Sequence, residues 1–224
     1  MRRFLLCFLF LPTLAFSQTA ERPNILLVLS DDHSHPFLGC YGREEMKTPN
    51  LDRLAAEGMM FRRMFTGAPQ CVPSRATIMT GRSPVAARIT RFSSPLPRDE
   101  ITFPEMLKQE AGYFVGVCGR SYHLDGSSRG PEASSSVFEE HQMLTFRDRF
   151  DYVDATGQEN VPAKMNEFFD RRPEAQPYFL WVNFSDPHHP WTSGEDPPDP
   201  ATLEVPGFLP DLPGVRGDLS RHMG

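Results

Sequence analysis

Three short apolar runs stand out in the chain, and each predicts a buried β-strand. They span residues 24–29 (NILLVL), 113–118 (YFVGVC) and 178–184 (YFLWVNF). Their apolar residues follow one another without a polar alternate, which is typical of strands covered on both faces of a parallel sheet.

Apolar positions at helical spacing lie between these runs. Thr48 as N-cap, Pro49 at the first helical position and Gly58 as a stop predict a helix over residues 49–57. Further helices are predicted at 74–80, at 103–111 after a Thr102 cap, at 161–172, and from 215 onward. Residues 59–65 are predicted to be extended, and 125–136 and 187–213 to be loops.

The alternation of strands and helices predicts an α/β fold with a mostly parallel sheet flanked by helices. Each predicted strand is followed by polar residues: Asp31 and Asp32 after the first, residues 120–123 after the second, and 186–189 after the third. Ligands of open α/β sheets bind beyond the carboxyl ends of the strands. We therefore expect the three clusters to form one site.

Length and charge limit the function classes. The 224 residues are enough for one sizeable α/β domain. A formal net charge of −6 argues against a general binder of nucleic acid or other polyanions, because such partners attract a basic surface. A local basic pocket for one anionic group is compatible with this charge.

The N-terminal residues 1–20 resemble a signal peptide. Arg2 and Arg3 precede an apolar run at residues 4–10, and small residues follow at positions 15, 17 and 20. An uncleaved membrane anchor is the alternative, but the run is shorter than the roughly 20 residues needed to span a bilayer. We expect cleavage near Ser17 or Ala20 and an exported protein, periplasmic or secreted, without a membrane partner.

The predicted mature chain holds three cysteines, Cys40, Cys71 and Cys118. An odd count in an exported protein indicates that one thiol is chemically special or free. If one is special, Cys40 and Cys118 could pair. Two buried free thiols are an equally good interpretation.

Two groups of residues, Asp31 with Asp32 and Cys71 with Arg75, each have more than one chemical interpretation, and their spacing alone does not decide between them. Asp31 and Asp32 are hard oxygen ligands suited to Ca²⁺ or Mg²⁺, or alternatively a helix cap or a solvated turn. Cys71 begins a short predicted helix, with Arg75 one turn later. This pattern fits either a low-pKa cysteine nucleophile or a buried structural cysteine.

The residues around Cys71 carry a specific resemblance. Residues 71–75 (CVPSR) match the C-x-P-S-R signature of the sulfatase family, and the T-G-R at 80–82 matches its extension. RPNILLVLSDD at 22–32, GCYG at 39–42 and TPNLDRLAAEGMMF at 48–61 also resemble that family. From residue 22 to at least 190, the chain resembles the N-terminal part of a formylglycine-dependent sulfatase of the alkaline phosphatase superfamily.

The resemblance implies roles for the first polar cluster and for Cys71 and Arg75. Cys71 would be oxidised to formylglycine (3-oxoalanine) by a maturation enzyme, and its hydrated aldehyde would supply the attacking oxygen. Asp31 and Asp32, with the residue at Cys71, would bind a divalent cation, calcium or alternatively magnesium. Arg75 would hold the nucleophile and offset negative charge.

The other two clusters would hold the remaining groups. His123 resembles the histidine of the family's G-K-x-H element and would help to eliminate sulfate. Arg120 replaces the lysine of that element, and one extra residue precedes His123, as in the iduronate sulfatase branch. Arg120 would bind sulfate, or alternatively be an exposed loop residue. His188 would bind the substrate and protonate the leaving alcohol, with His189 as the alternative.

The function implied is hydrolysis of a sulfate ester, by default of a sulfated carbohydrate. The alternatives are a phosphoester or phosphonate hydrolase of the same superfamily and an inactive, sulfated-glycan-binding remnant. Family members take further calcium ligands and a second lysine from a later segment. We therefore expect residues 21–224 to be the incomplete N-terminal part of a catalytic domain, with weak or no activity alone.

Overall fold

The computed structural model describes residues 22–43, 45–92, 95–120, 124, 140–154, 157, 159–191 and 197–224. The predicted signal peptide, the predicted loop at 125–136 and His123 lie outside these residues.

Four strands form one parallel sheet, which confirms the predicted fold class. They are β1 (Ile25–Leu29), β2 (Phe114–Gly119), β3 (Tyr152–Asp154) and β4 (Tyr178–Asn183), in the spatial order β1-β4-β2-β3. The sequence did not predict β3, because three residues are too few for an apolar pattern to be distinguished from a loop.

Six α-helices and one short 3₁₀ helix are found among the described residues. The helices are α1 (Pro49–Glu57), α2 (Cys71–Thr80), α3 (Phe103–Ala111), α4 (Phe146–Arg149), α5 (Val161–Arg171) and α6 (Pro213–Met223), and the 3₁₀ helix is Gly39–Tyr41. Residues 59–65 form neither helix nor strand. The short α4 was not predicted, and α6 begins two residues earlier than expected.

The helix starts differ from the predictions in two instructive places. Thr102 caps α3 as predicted, in a capping box with Glu105. The predicted Thr48 cap is wrong in its chemistry, because its hydroxyl donates to the Asp52 side chain and accepts from the Gly39 backbone N–H, each at 3.0 Å, and caps no N–H of α1. Helix α2 begins at Cys71, three residues earlier than predicted, because Pro73 is tolerated within a first helical turn.

Apolar residues fill both sides of the sheet. On one face, α2, α3 and α4 cover Val117 and Trp181, both of which are fully buried. On the other face, Phe168 of α5 packs with Leu180 and Val182. A side chain at Gly116 would collide with the Phe168 ring, so a glycine in β2 allows α5 to approach the sheet closely.

Strand β1 lies at an edge of the sheet and is only partly covered. Leu26 and Val28 are 47% and 54% exposed, although they are paired in register with the buried Leu180 and Val182. The prediction of a strand buried on both faces is therefore wrong for β1. Helix α5 covers this face of the sheet at β2 and β4, but no described element covers it at β1.

Two further expectations concern the thiols and the membrane. Cys40, Cys71 and Cys118 are all free thiols, so the alternative of a Cys40–Cys118 pair is not found. None of the described helices is long and apolar enough to cross a membrane.

Replacing Phe168 with alanine should destabilise the fold by about 3–5 kcal/mol, because it removes a large side chain from a site without solvent exposure. The measurement is urea unfolding followed by circular dichroism. Phe208→Ala is the matched control, since Phe208 is 72% exposed, and should change stability by less than about 0.5 kcal/mol. Equal losses for the two variants would contradict the assigned core.

Candidate active site

The carboxyl ends of β1, β2 and β4 bring the predicted polar clusters together. Asp31 follows β1, and its backbone N–H donates to the Asp186 carbonyl after β4 at 3.4 Å. Arg120 follows β2, and its N–H donates to the Asn183 carbonyl at 3.0 Å. The start of α2 adds Cys71 to the same edge, so the described members of the three clusters share one site.

Cys71 is the first residue of α2 and is partly buried. With Asp31, Asp32 and Arg75 it lines a cavity of about 410 Å³ at this edge of the sheet. Burial, and after it the Asp31 carboxylate, raise the pKa of the Cys71 thiol above its ordinary value. The Val72 backbone N–H and Arg75 act in the opposite direction and are outweighed. The interpretation of Cys71 as a low-pKa cysteine is therefore wrong.

Arg75 is the most constrained charged residue of the site. It is 2% exposed, and its Nη2 lies 3.6 Å from Asp31 Oδ2. Its Nη1 donates to Asn183 Oδ1, and its guanidinium carbon lies 6.0 Å from the centre of the Trp181 ring. Burial lowers the pKa of Arg75, and the neighbouring Asp31 acts against that change.

Arg120 points into the site, so the alternative of an exposed loop arginine is wrong. Its side chain is 12% exposed, and Nη1 lies 3.2 Å from Asp31 Oδ2. The preceding Gly119 has φ +83°, and a side chain there would collide with the Asn183 backbone. Only glycine fits this position easily, and it turns the chain from β2 toward Asp31.

Asn183 is a site residue that the sequence analysis treated only as part of a strand. It is fully buried at the end of β4, where Oδ1 accepts from Arg75 and Nδ2 donates to the Cys118 carbonyl at 3.4 Å. In the sequence, the signal for this role was a single amide side chain at the end of an apolar strand. A buried amide needs hydrogen-bond partners, so an asparagine at that point indicates polar neighbours.

His188 is the histidine of the third cluster that faces the site. Its Nε2 lies 3.6 Å from Asp32 Oδ2, and its backbone N–H donates to the Ser185 carbonyl at 2.8 Å. The ring of His189 lies against Trp191, with 5.2 Å between ring centres. These positions favour His188 over His189 as the histidine of the site. His123 lies outside the described residues.

The T-G-R extension of the signature, residues 80–82, makes contacts that stabilise the end of α2. Thr80 Oγ1 donates to the Ala76 carbonyl at 2.8 Å, within α2. Arg82 lies 2.6 Å from the buried carboxylate of Glu100. These contacts fix the end of α2 against the segment before α3, at the opposite end of the helix from Cys71.

The predicted metal ligands have unequal environments. Asp31 is 3% exposed, and its Oδ2 is buried with no hydrogen-bond partner. The Asp32 side chain is 61% exposed, and its backbone has φ +59°. Across the described ranges, no three side chains of the types His, Cys, Asp and Glu are grouped so that they could hold a metal ion. The assignment of Asp31, Asp32 and Cys71 as metal ligands stays a prediction.

Replacing Asp31 with asparagine should lower the pKa of the Cys71 thiol, because it removes a negative charge that disfavours the thiolate. Alkylation of Cys71 at a fixed pH below that pKa should then be faster. The measurement is the pH dependence of iodoacetamide labelling in calcium-free buffer, in a Cys40→Ser background. Cys118 does not interfere, because it is fully buried and burial raises its pKa to about 11.

Asp32→Asn is the control for this prediction, because Asp32 contributes the smallest of the effects on Cys71. It should move the labelling profile in the same direction by a smaller amount. A larger effect of Asp32→Asn, or slower labelling of the Asp31→Asn variant, would contradict the charge arrangement.

Comparison with known proteins shows that the chain is similar to sulfatases over most of its length. The sulfatase family model matches residues 23–206. Human steryl-sulfatase is 42% identical over 121 residues, which are 49% of this chain and 20% of the relative. N-acetylglucosamine-6-O-sulfatase of Bacteroides thetaiotaomicron is 29% identical over 181 residues, which are 78% of this chain and 32% of the relative. The chain thus spans a third or less of the length of these two relatives.

Solved structures share the fold. A protein in complex with its substrate D-glucosamine-2-N,6-O-disulfate superposes with a TM-score of 0.61 and 25% identity, over 77% of this chain and 36% of that chain. The phosphonate monoester hydrolase of Agrobacterium radiobacter gives a TM-score of 0.55 and 21% identity, over 78% and 43%, and shows the fold alone. Because the family model matches well over half of its residues, this chain belongs to the sulfatase family.

Proposed function

We propose that this chain carries the nucleophile and part of the anion-binding pocket of an enzyme that hydrolyses sulfate esters. The observation that supports it best is the convergence of two guanidinium groups, Arg75 and Arg120, on one carboxylate, Asp31, in the cavity lined by Cys71. The two guanidinium groups are thus held in place beside the nucleophile position.

The pairing around Asp31 leaves room for an anionic group. Asp31 Oδ2 makes no hydrogen bond even though two guanidinium groups lie within 3.6 Å of it. Each guanidinium carries five N–H groups and can donate to more than one acceptor. A sulfate oxygen beside Cys71 would accept hydrogen bonds from such groups.

The carboxylates fit a hard divalent cation. The buried, unbonded Oδ2 of Asp31 and the adjacent Asp32 are oxygen donors of the kind that Ca²⁺ and Mg²⁺ prefer. Asp31 and Asp32 would hold the ion, with further ligands coming from outside the described residues. When bound, the cation supplies positive charge that offsets the charge of the sulfate group.

Cys71 is the position that we propose is converted to formylglycine. Formylglycine at this position would supply, as its hydrate, an oxygen nucleophile for sulfur. Arg75, buried one helical turn from Cys71 and held by Asn183, orients that position and stabilises negative charge on the sulfate oxygens. Arg120 adds the second positive charge from the end of β2.

His188 is proposed as the general acid for the leaving alcohol. Its ring lies beside Asp32, and its backbone hydrogen bond to Ser185 fixes the loop that carries it. His123 is proposed, on sequence resemblance, as the base that helps to release sulfate. Residues 21–224 would then form the N-terminal part of an exported catalytic domain, with residues 1–20 as its signal peptide.

Coexpression with a formylglycine-generating enzyme should lower the mass of the peptide that contains Cys71 by about 18 Da, the difference between a thiol-bearing and an aldehyde-bearing carbon. Peptide mass spectrometry measures this change. Cys71→Ala is the control and should keep its calculated mass. An unmodified Cys71 in a host that converts a known sulfatase would argue for the alternative of an inactive binding remnant.

Arg75→Ala should weaken binding of inorganic sulfate about 10- to 100-fold, the effect expected for losing a charge-assisted hydrogen bond. Isothermal titration calorimetry in calcium-containing buffer measures it. Arg62→Ala is the matched control, because it removes the same charge from an exposed residue, and should leave sulfate binding nearly unchanged. A Cys71-dependent preference for an aryl phosphate over an aryl sulfate would instead assign a phosphoester hydrolase.

A further inference from the structure

A second cavity, of about 250 Å³, lies between the loop after β4 and the end of α6. Its lining includes Asp186, His188, Trp191, Arg221 and His222. His188 lines this cavity and also lies beside Asp32, which lines the cavity of Cys71. The two cavities therefore adjoin across the Asp32–His188 pair.

We propose that this second cavity, here named the Trp191 cavity, binds the sugar ring of the substrate's alcohol half. The inference rests on the proposed function and extends it to a substrate class. It also assigns Trp191 and His222 to substrate recognition, a role that the sequence analysis gave to neither.

The direction of the reaction places the alcohol on this side. In a displacement at sulfur, the bond to the attacking oxygen forms opposite the bond to the leaving alcohol oxygen, which takes its proton from the general acid. With the attacking oxygen at Cys71 and the acid at His188, the leaving oxygen lies toward His188. The ring attached to that oxygen then extends past His188, into the Trp191 cavity.

The lining of the cavity fits a sugar. Trp191 is partly buried, and its Nε1 donates to the Pro187 carbonyl at 2.8 Å, which fixes the orientation of the ring. The His222 ring packs against it with 5.6 Å between ring centres. An aromatic ring suits the C–H face of a pyranose, while the carboxylate of Asp186 and the imidazole of His222 suit its hydroxyl groups.

The lining of the cavity argues against a large apolar alcohol such as a steroid. Its charged and polar groups, among them Asp186, Arg221 and His222, would lose hydration against an apolar ligand without gaining hydrogen bonds.

Trp191 is itself the probe for the experiment. The chain has two tryptophans, and Trp181 is fully buried, so acrylamide quenching of fluorescence reports mainly on Trp191. In calcium-containing buffer, glucosamine 6-sulfate should reduce the quenching constant at least about two-fold, because a stacked ring shields the indole. Inorganic sulfate should bind without this protection, since it fills only the cavity of Cys71.

Trp191→Ala should weaken binding of glucosamine 6-sulfate about 10-fold, with binding of inorganic sulfate unchanged, as measured by calorimetry. Trp191→Phe should retain most of the affinity for the sugar sulfate, and Phe208→Ala, at an exposed position, should retain all of it. Circular dichroism checks that each variant is folded. If Trp191→Ala is not folded, the inference is tested by the quenching of the unmodified chain and by the affinity of the Trp191→Phe variant.

The outcomes separate this inference from the proposed function. If inorganic sulfate binds but glucosamine 6-sulfate neither protects Trp191 nor depends on it, the inference is overturned and the proposed function stands. Stronger protection by dehydroepiandrosterone sulfate, or equal weakening of inorganic sulfate by Trp191→Ala, also overturns it. If neither sulfate nor the sugar sulfate binds, the proposed function fails and takes the inference with it.

Discussion

The contacts of the buried Arg75 guanidinium connect the start of α2 to the ends of two strands. Arg75 reaches Asp31 after β1 and Asn183 at the end of β4, and Asp31 also contacts Arg120 after β2. A buried ion pair adds little net stability, because desolvation offsets much of the attraction. Its contribution here is positional: it sets where Cys71 and the two guanidinium groups lie relative to one another.

The same arrangement is the basis of the proposed binding of an anion. Asp31 supplies one carboxylate to two guanidinium groups, and its buried Oδ2 lacks a hydrogen bond. Fixed charges need little reorganisation when a ligand arrives. A cation at Asp31 and Asp32 would compete with the arginines for the same oxygen and so release their donors toward the ligand.

The sequence predicts those parts of the fold and site that depend on local patterns. The long strands, the Thr102 cap and the convergence of strand ends follow from apolar runs, capping chemistry and the geometry of parallel sheets. The three-residue β3, the short α4 and the role of Asn183 depend on tertiary contacts, which no local pattern records. The exposure of Leu26 and Val28 was not predicted for the same reason, because an apolar run does not say which elements cover it.

The protonation state of Cys71 shows why local patterns and the folded site can disagree. A cysteine at a helix start, one turn before an arginine, predicts a stabilised thiolate. In the structure, burial and the Asp31 carboxylate outweigh both the Val72 N–H and Arg75. Arg75 gives the thiol little help because its charge is already shared with Asp31 and its donor with Asn183. The pKa of the Cys71 thiol is therefore raised in the folded site, although its local sequence predicts a lowered one.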